Sequence, residues 1–160
     1  MSRCYLDTNF LYSHLHQSRN KAEPHFNRWR DTVLTEMDGD AGLSSALVVD
    51  ELAYRSVLGW LRDSGEADPL ARFRNSSRVV MRVMRPRLRR LWTAVDELLL
   101  EFVPTDQAVI ERARNLMAAP GLAPRDAFHA AHAVEAGCDW IVSADADFDV
   151  VTELPRLGPG

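Results

Sequence analysis

Two short apolar runs in this 160-residue chain each end on carboxylate residues. Residues 3–7 end on Asp7. The apolar residues 140–142 lead into a hydroxyl residue and then into alternating aspartates: Ser143, Asp145, Asp147 and Asp149. A charged group at the end of a buried strand is costly unless an opposite charge lies close to it. Two such strand ends predict one shared acidic site, which would most naturally hold a divalent cation.

The spacing of apolar residues predicts an α/β fold with a central, mainly parallel sheet flanked by helices. Strands are expected at residues 3–7, 41–44, 98–103 (a strand, or the end of a helix leading into one) and 140–143. Helices are expected at residues 21–38 and 45–60, and from residues 70, 104 and 124 onward. Strands that alternate with such helices pair in parallel, and binding sites form at their carboxyl ends. Asp7 and Asp145 both follow strands, so the fold class and the acidic site support each other.

Length and composition favour a single domain spanning residues 1–160. No run approaches the roughly 18 apolar residues of a membrane span, and no secretory signal is evident at the N-terminus. Cys4 and Cys138 are isolated, which is typical of free thiols rather than of a disulfide framework or a zinc site. We therefore expect a cytoplasmic protein that does not contact a membrane.

Charge is sorted unevenly along the chain. Eight arginines and no acid lie between Arg72 and Arg90, so the remainder carries −12 against a total of −4. We call residues 68–92 the arginine arm. One side of its predicted helix carries four arginines: Arg78, Arg82, Arg85 and Arg89. The opposite side carries an apolar stripe: Val79, Val80, Val83, Met84, Leu88 and Leu91. Pro86 is expected to disturb this stripe. Because like charges repel, the arm favours contact with RNA or a partner over a merely solvated face.

Four motifs follow one another along the chain: Asp7-x-Asn9 after the first strand, Glu51 in a helix after a serine-rich start, Arg125-Asp126-Ala127-Phe128-His129-Ala130-Ala131, and Ile141-Val142-Ser143-Ala144-Asp145-Ala146-Asp147-Phe148. Each carboxylate alone has a structural explanation, such as a helix N-terminus for Asp126. Together the motifs resemble the PIN-domain nucleases, and among them the VapC-type toxins of bacterial toxin–antitoxin pairs. The resemblance covers nearly the whole chain.

The resemblance implies a three-layer PIN-like fold and a set of site residues. The catalytic cluster would be four carboxylates, Asp7, Glu51, Asp126 and Asp145, of which Asp7, Asp126 and Asp145 would bind Mg²⁺ or Mn²⁺. Three supporting residues are implied as well: Asn9 as a brace for the first aspartate, Ser143 before the last one, and Asp147 at a more variable acidic position. Asp149 is left as a turn residue.

The resemblance also implies an activity and partners. A metal-activated water would hydrolyse an RNA phosphodiester bond and leave a 5′-phosphate and a 3′-hydroxyl. The protein would pair with a small antitoxin and form a homodimer. The arginine arm falls where the family carries a helical pair that grips the antitoxin.

Other functions remain open at this stage. They include a PIN nuclease of RNA maturation without an antitoxin, and a binding module that has lost catalysis. A haloacid dehalogenase-type phosphatase is disfavoured because Asn9 occupies the place of its second aspartate. His129 and His132 lie three residues apart, but a zinc site would need further ligands, so we expect them to be structural.

Overall fold

The centre of the fold is a five-stranded, entirely parallel sheet in the order β3-β2-β1-β4-β5. The computed structural model describes residues 2–16 and 24–159. The strands are short: β1 is Cys4–Leu6, β2 Leu43–Ser45, β3 Glu101–Val103, β4 Trp140–Val142 and β5 Arg156–Leu157. Every residue of β1 and β2 is buried, as expected for central strands of a parallel sheet. The predicted α/β class is confirmed.

Six α-helices lie within the described ranges. They are α1 (Thr8–Leu15), α2 (Pro24–Met37), α3 (Ala46–Asp63), α4 (Pro69–Asp96), α5 (Gln107–Ala118) and α6 (Pro124–Glu135). A 3₁₀ helix, Ala146–Val150, follows β4. The sequence analysis did not predict α1, the 3₁₀ helix or β5. Residues 21–23 of the predicted helix 21–38 lie outside the described part of the chain.

The order in which strands are added to the sheet reverses at β1. From β1 the chain adds β2 and β3 on one side, and then returns to add β4 and β5 on the other. The crevice at the carboxyl ends of β1 and β4 is therefore a topological switch point, where open parallel sheets bind ligands. A 3.2 Å backbone hydrogen bond from Asp7 N to Val142 O joins the two strand ends there.

Local sequence signals fix where the surrounding helices begin and end. Asp7 caps α1 and Asp106 caps α5, each by accepting a backbone N–H of its helix. Pro124 lies in the first turn of α6, where a missing N–H costs nothing. Gly137 follows α6 with a φ of +67°, a left-handed conformation that glycine adopts without strain. Pro124 and Gly137 thus mark the two ends of α6.

Apolar side chains form two packed clusters. The larger joins the sheet to α2, α5 and α6, and includes the fully buried Tyr5, Ile141 and Phe148. The smaller joins α3 to α4 through Leu52 and Leu88, among others. The strand ends and helix starts that carry the carboxylates therefore rest on close-packed elements.

The arginine arm folds as part of the long helix α4. Non-helical backbone at Ser76 (φ −146°, ψ 34°) divides the helix, whereas it continues through Pro86. The expected disturbance at Pro86 is therefore wrong for the backbone dihedrals, and the break at Ser76 was not predicted. Neither α4, at 28 residues, nor any other helix in the described ranges is both long and apolar enough to cross a membrane.

The predicted apolar stripe of α4 was partly wrong. Four of its members are buried against α3 and its neighbours: Val80, Met84, Leu88 and Leu91. Val79 and Val83 are instead 51% and 66% exposed. The buried positions recur every three or four residues, which leaves Val79 and Val83 outside the core-facing stripe.

Candidate active site

Asp7 lies at the end of β1 and is almost completely buried. Its Oδ1 accepts a 2.6 Å hydrogen bond from Thr8 N, and its Oδ2 accepts bonds from Asn9 Nδ2 at 2.8 Å and Ser143 Oγ at 2.7 Å. Burial raises the pKa of Asp7 above its usual 3.8, although His129 and the hydrogen bonds from Ser143 and Thr8 offset part of this effect. Three donors thus hold this carboxylate in one orientation.

Asn9 and Ser143 tie the ends of β1 and β4 together. Asn9 Nδ2 also donates to Ser143 Oγ at 2.8 Å, and Asn9 Oδ1 accepts from Ala144 N at 3.0 Å. Ser143 Oγ in turn accepts from Asp145 N at 3.0 Å. The two residues therefore connect the first aspartate to the backbone of the last one.

Glu51 lies in α3 and is held by three donors of its own. Thr8 Oγ1 donates to Oε2 at 2.6 Å, His129 Nε2 donates to the same oxygen at 3.1 Å, and Arg125 Nη1 pairs with Oε1 at 3.2 Å. Burial alone would raise the pKa of Glu51. The hydrogen bonds from His129 and Thr8, together with the charges of His129 and Arg125, outweigh burial and lower the pKa to about 2. Glu51 is therefore a fixed, ionised carboxylate.

A buried chain of hydrogen bonds supports Glu51 from behind. The hydroxyl of Tyr5, in the centre of β1, lies 2.7 Å from Ser45 Oγ and 3.0 Å from His129 Nδ1. An ionised carboxylate only accepts hydrogen bonds, so His129 Nε2 donates to Glu51. Burial keeps the Tyr5 hydroxyl protonated by raising its pKa far above the usual 10. The chain therefore links Ser45 to Glu51 through Tyr5 and His129.

Three further aspartates gather beside the start of α6. Asp126 lies in the first turn of α6, and Asp145 and Asp147 lie at the start of the 3₁₀ helix. One carboxylate oxygen from each falls within 4.8 Å of the others. Burial and then the charge of Asp145 raise the pKa of Asp126, with smaller contributions from Asp7 and Asp147. Among the described residues, none forms an ion pair with these three carboxylates.

The predicted site residues thus fall into two adjoining groups. One contains Asp7, Glu51 and His129, and the other contains Asp126, Asp145 and Asp147. The expected metal-binding aspartates span both groups. Asp149 stays apart, because Arg156 Nε donates to it at 2.7 Å and thereby lowers its pKa.

Comparisons with known proteins place this arrangement in a family. The family model of the PIN domain matches residues 4–154. The chain belongs to the PIN domain family. No curated protein matches it at a significant level. Among solved structures, this PIN domain is similar to VapBC2 from Rickettsia felis, solved bound to a DNA fragment from their promoter, with a TM-score of 0.56 at 16% identity over 96% of both chains.

The comparison with VapBC2 concerns the fold, because the identity is low. PIN domains are typically metal-dependent nucleases, and the acidic groups of this PIN domain offer the oxygen ligands that such chemistry uses.

Three residues of this PIN-domain site escaped the sequence analysis: Thr8, Arg125 and His129. A signal for His129 was present, because the i, i+3 spacing from Asp126 puts both on one face of α6. The sequence analysis expects His129 and His132 to be structural rather than a zinc pair. His132 instead bonds Phe128 O at 2.7 Å and Thr105 Oγ1 at 2.8 Å.

The four arginines that were predicted on one side of the arginine arm lie together on the exposed side of α4. Arg78, Arg82, Arg85 and Arg89 line an open groove of about 560 Å³. Met81, Leu88 and Trp92 also line this groove. All four arginines are exposed. The PIN domain therefore combines a negatively charged crevice at the sheet with a positively charged helix face.

Proposed function

We propose that this PIN domain is a divalent-metal-dependent endoribonuclease that acts as the VapC-type toxin of a toxin–antitoxin pair. The observation that carries the proposal is the crowding of carboxylates from four separate parts of the chain at the switch point of a parallel sheet. Such crowding is unfavourable without a cation, because each negative charge raises the pKa of its neighbours.

The donor set fits Mg²⁺, and Mn²⁺ as an alternative. Both are hard ions that prefer carboxylate oxygens and water, whereas a zinc site would use more nitrogen or sulfur ligands. Asp126, Asp145 and Asp7 would hold the ion, and Asp147 lies close enough to take part. When bound there, the ion supplies a water of lowered pKa and offsets negative charge on the cleaved phosphate.

The residues of the chain divide the remaining work. Asp7 keeps one fixed orientation through Asn9 and Ser143, and its two oxygens have capacity for a further partner beyond these three hydrogen bonds. Glu51, ionised and held by Thr8 and His129, is suited to orienting a water by accepting a hydrogen bond from it, because its pKa of about 2 makes it a weak base. Hydrolysis by water would leave a 5′-phosphate and a 3′-hydroxyl.

The arginine face of α4 supports RNA as the substrate. Exposed arginines bind phosphates bidentately, with little dependence on base sequence. Replacing one of Arg78, Arg82, Arg85 or Arg89 with alanine should lower the slope of log affinity against log salt by about 1 if that arginine contacts a phosphate. A substrate of cellular RNA is in turn consistent with a cytoplasmic protein.

The exposed apolar residues of α4 support a protein partner on the same helix. Val79 and Val83, at 51% and 66% exposed, form an apolar surface beside the arginines that a solvated helix would not need. The fold is also that of VapBC2, which was solved as a complex. We propose that this surface contacts the antitoxin, and that the protein forms a homodimer.

Cleavage of a mixed tRNA and rRNA pool tests the nuclease proposal. The protein, freed of antitoxin, should produce discrete fragments in Mg²⁺ or Mn²⁺ and none in EDTA. Asp126→Asn and Asp145→Asn should abolish the fragments. Asp149→Asn is the matched control, because Asp149 pairs with Arg156 outside both carboxylate groups.

The ends of the RNA fragments and three other outcomes of this experiment test the proposal further. Fragments should carry a 3′-hydroxyl that poly(A) polymerase can extend. Cleavage that persists in EDTA, or that Asp149→Asn abolishes as fully as Asp145→Asn, would contradict the proposed site. Binding of RNA without cleavage in either metal would favour a module that has lost catalysis.

A further inference from the structure

A second cavity opens beside the carboxylates, between the start of α3 and the start of α6. Its volume is about 540 Å³, and the exposed side chains that line it are mainly apolar, including Leu47, Pro124 and Phe128. Four polar side chains share the lining: Asp50, Thr105, Arg125 and His132. The cavity therefore offers aromatic and aliphatic side chains with polar groups among them, which is typical of a small-molecule site.

This cavity adjoins the catalytic carboxylates through Arg125. Arg125 both lines the cavity and pairs with Glu51 at 3.2 Å. Asp50 directly precedes Glu51 in α3, and Arg125 directly precedes Asp126 in α6. A polynucleotide with one phosphate at the carboxylates would therefore carry a neighbouring nucleotide past the mouth of the cavity.

We propose that this cavity is a nucleobase subsite for the nucleotide next to the cleaved phosphate. The proposal rests on the proposed ribonuclease function and adds a contact to the base. Single-stranded RNA is recognised by unstacked bases that lie against aromatic side chains and guanidinium planes. Phe128 supplies the ring, Leu47 and Pro124 extend the apolar surface, and Arg125 bridges to the catalytic carboxylates.

The polar lining predicts a preference among bases. Asp50 is the carboxylate in this lining, and a carboxylate accepts hydrogen bonds from an exocyclic amino group. Adenine, cytosine and guanine carry such a group and uracil does not. The subsite should therefore bind the three amino-bearing bases more tightly than uracil, and Asp50→Asn should reduce this difference.

Binding of single nucleotides tests the subsite without any cleavage. The full chain is titrated with the four nucleoside 5′-monophosphates in EDTA, and the backbone amide NMR signals of Leu47, Thr105 and Phe128 are followed. Ribose 5-phosphate is the control ligand, because it has the sugar and phosphate but no base. AMP, CMP and GMP should shift these signals, UMP should shift them less, and ribose 5-phosphate should leave them in place.

Two variants separate stacking from folding. Phe128→Leu keeps an apolar side chain but removes the ring, so nucleotide affinity should fall about tenfold. The other amide signals should keep the chemical shifts of the folded protein. Leu34→Ala removes an exposed leucine (52% exposed) elsewhere on the surface and should leave nucleotide affinity unchanged.

Three results would overturn the proposal. They are the absence of shifts with every nucleotide, equal shifts with ribose 5-phosphate, and unchanged nucleotide affinity in Phe128→Leu. A fourth such result would come from sedimentation. If Phe128→Leu converts a dimer into a monomer, this face is a self-association surface.

A cleavage experiment distinguishes failure of the subsite from failure of the nuclease. A cleavable oligonucleotide is compared with copies that lack one base on either side of the cut. One missing base should raise KM about tenfold for the wild-type protein, but should have little further effect in Phe128→Leu. Equal effects in both proteins would refute the subsite and leave the nuclease intact. Nucleotide binding without RNA cleavage would support the subsite and refute the nuclease.

Discussion

The hydrogen bonds around Glu51 predict a measurable dependence of stability on pH. Three donors converge on this carboxylate, from Thr8, His129 and Arg125. In Glu51→Gln the side chain keeps its size but loses its charge, and one of its two terminal atoms becomes a donor. At least one of the three donors is then left without an acceptor.

The size of the effect follows from the pKa of Glu51. A fall from the usual 4.5 to about 2 corresponds to about 3 kcal/mol, at about 1.36 kcal/mol per pKa unit. Part of this comes from Arg125, whose side chain is 60% exposed and whose charge is screened by solvent, so we expect about 2 kcal/mol. Because the pKa is lower in the folded state, this stabilisation is complete above about pH 4.5. It is lost as the pH falls toward 2.

Urea unfolding in EDTA measures this contribution directly. The free energy of unfolding of the wild-type protein minus that of Glu51→Gln should be about 2 kcal/mol near pH 5, and should shrink at about pH 3. Glu97→Gln, an exposed glutamate just after α4, is the matched control and should show no such difference. Subtracting the two curves cancels the titration of the other carboxylates.

A flat result would refute this reasoning. If Glu51→Gln is as stable as the wild-type protein near pH 5, the two hydrogen bonds and the ion pair with Arg125 do not favour the ionised form. If the variant is less stable but the difference does not change between about pH 5 and pH 3, the loss comes from packing rather than from charge.

Three further predictions concern the carboxylates and α4. Ser143→Ala removes a donor that lowers the pKa of Asp7, so the acid limb of the pH–activity profile should move to higher pH, as measured by initial cleavage rates. Asp145→Asn removes a neighbouring charge and a ligand, so the pKa of Asp126 should fall while Mn²⁺ affinity, measured by calorimetry, should drop about tenfold or more. An unchanged affinity would place the ion elsewhere. Val83→Ser should weaken the complex with a co-expressed antitoxin about tenfold without changing the melting temperature, because the side chain is already exposed.

The larger elements of the fold were predictable because their signals are long. The helix at α3 shows its apolar spacing over 18 residues, and α6 is marked by Pro124 and Gly137. The helix α1 was missed because eight residues give too few turns for a period to emerge. Its only strong local signal is its cap, Asp7, which had been considered solely as a site carboxylate.

The interior of the site was less accessible to sequence reasoning. The motif order supplied the carboxylates, but the chain from Ser45 through Tyr5 to His129 joins residues that are 40 and 124 positions apart. No local pattern encodes such contacts. The stripe on α4 failed for a related reason, since periodicity gives the apolar positions but not which of them meet α3.

All three hydrogen-bond partners of Asp7 are donors, and this limits how the residue can be replaced. Thr8 N faces Oδ1, while Asn9 Nδ2 and Ser143 Oγ face Oδ2. An asparagine amide in either orientation would point its own N–H bonds at one of these donors, at a cost of about 1–3 kcal/mol in a buried position. Asp7→Asn, although nearly isosteric, would therefore destabilise the surrounding structure. Loss of activity in this variant would reflect that damage as well as the loss of a metal ligand. The polarity of the surrounding hydrogen bonds alone demands a carboxylate at this position, before any cation or substrate arrives.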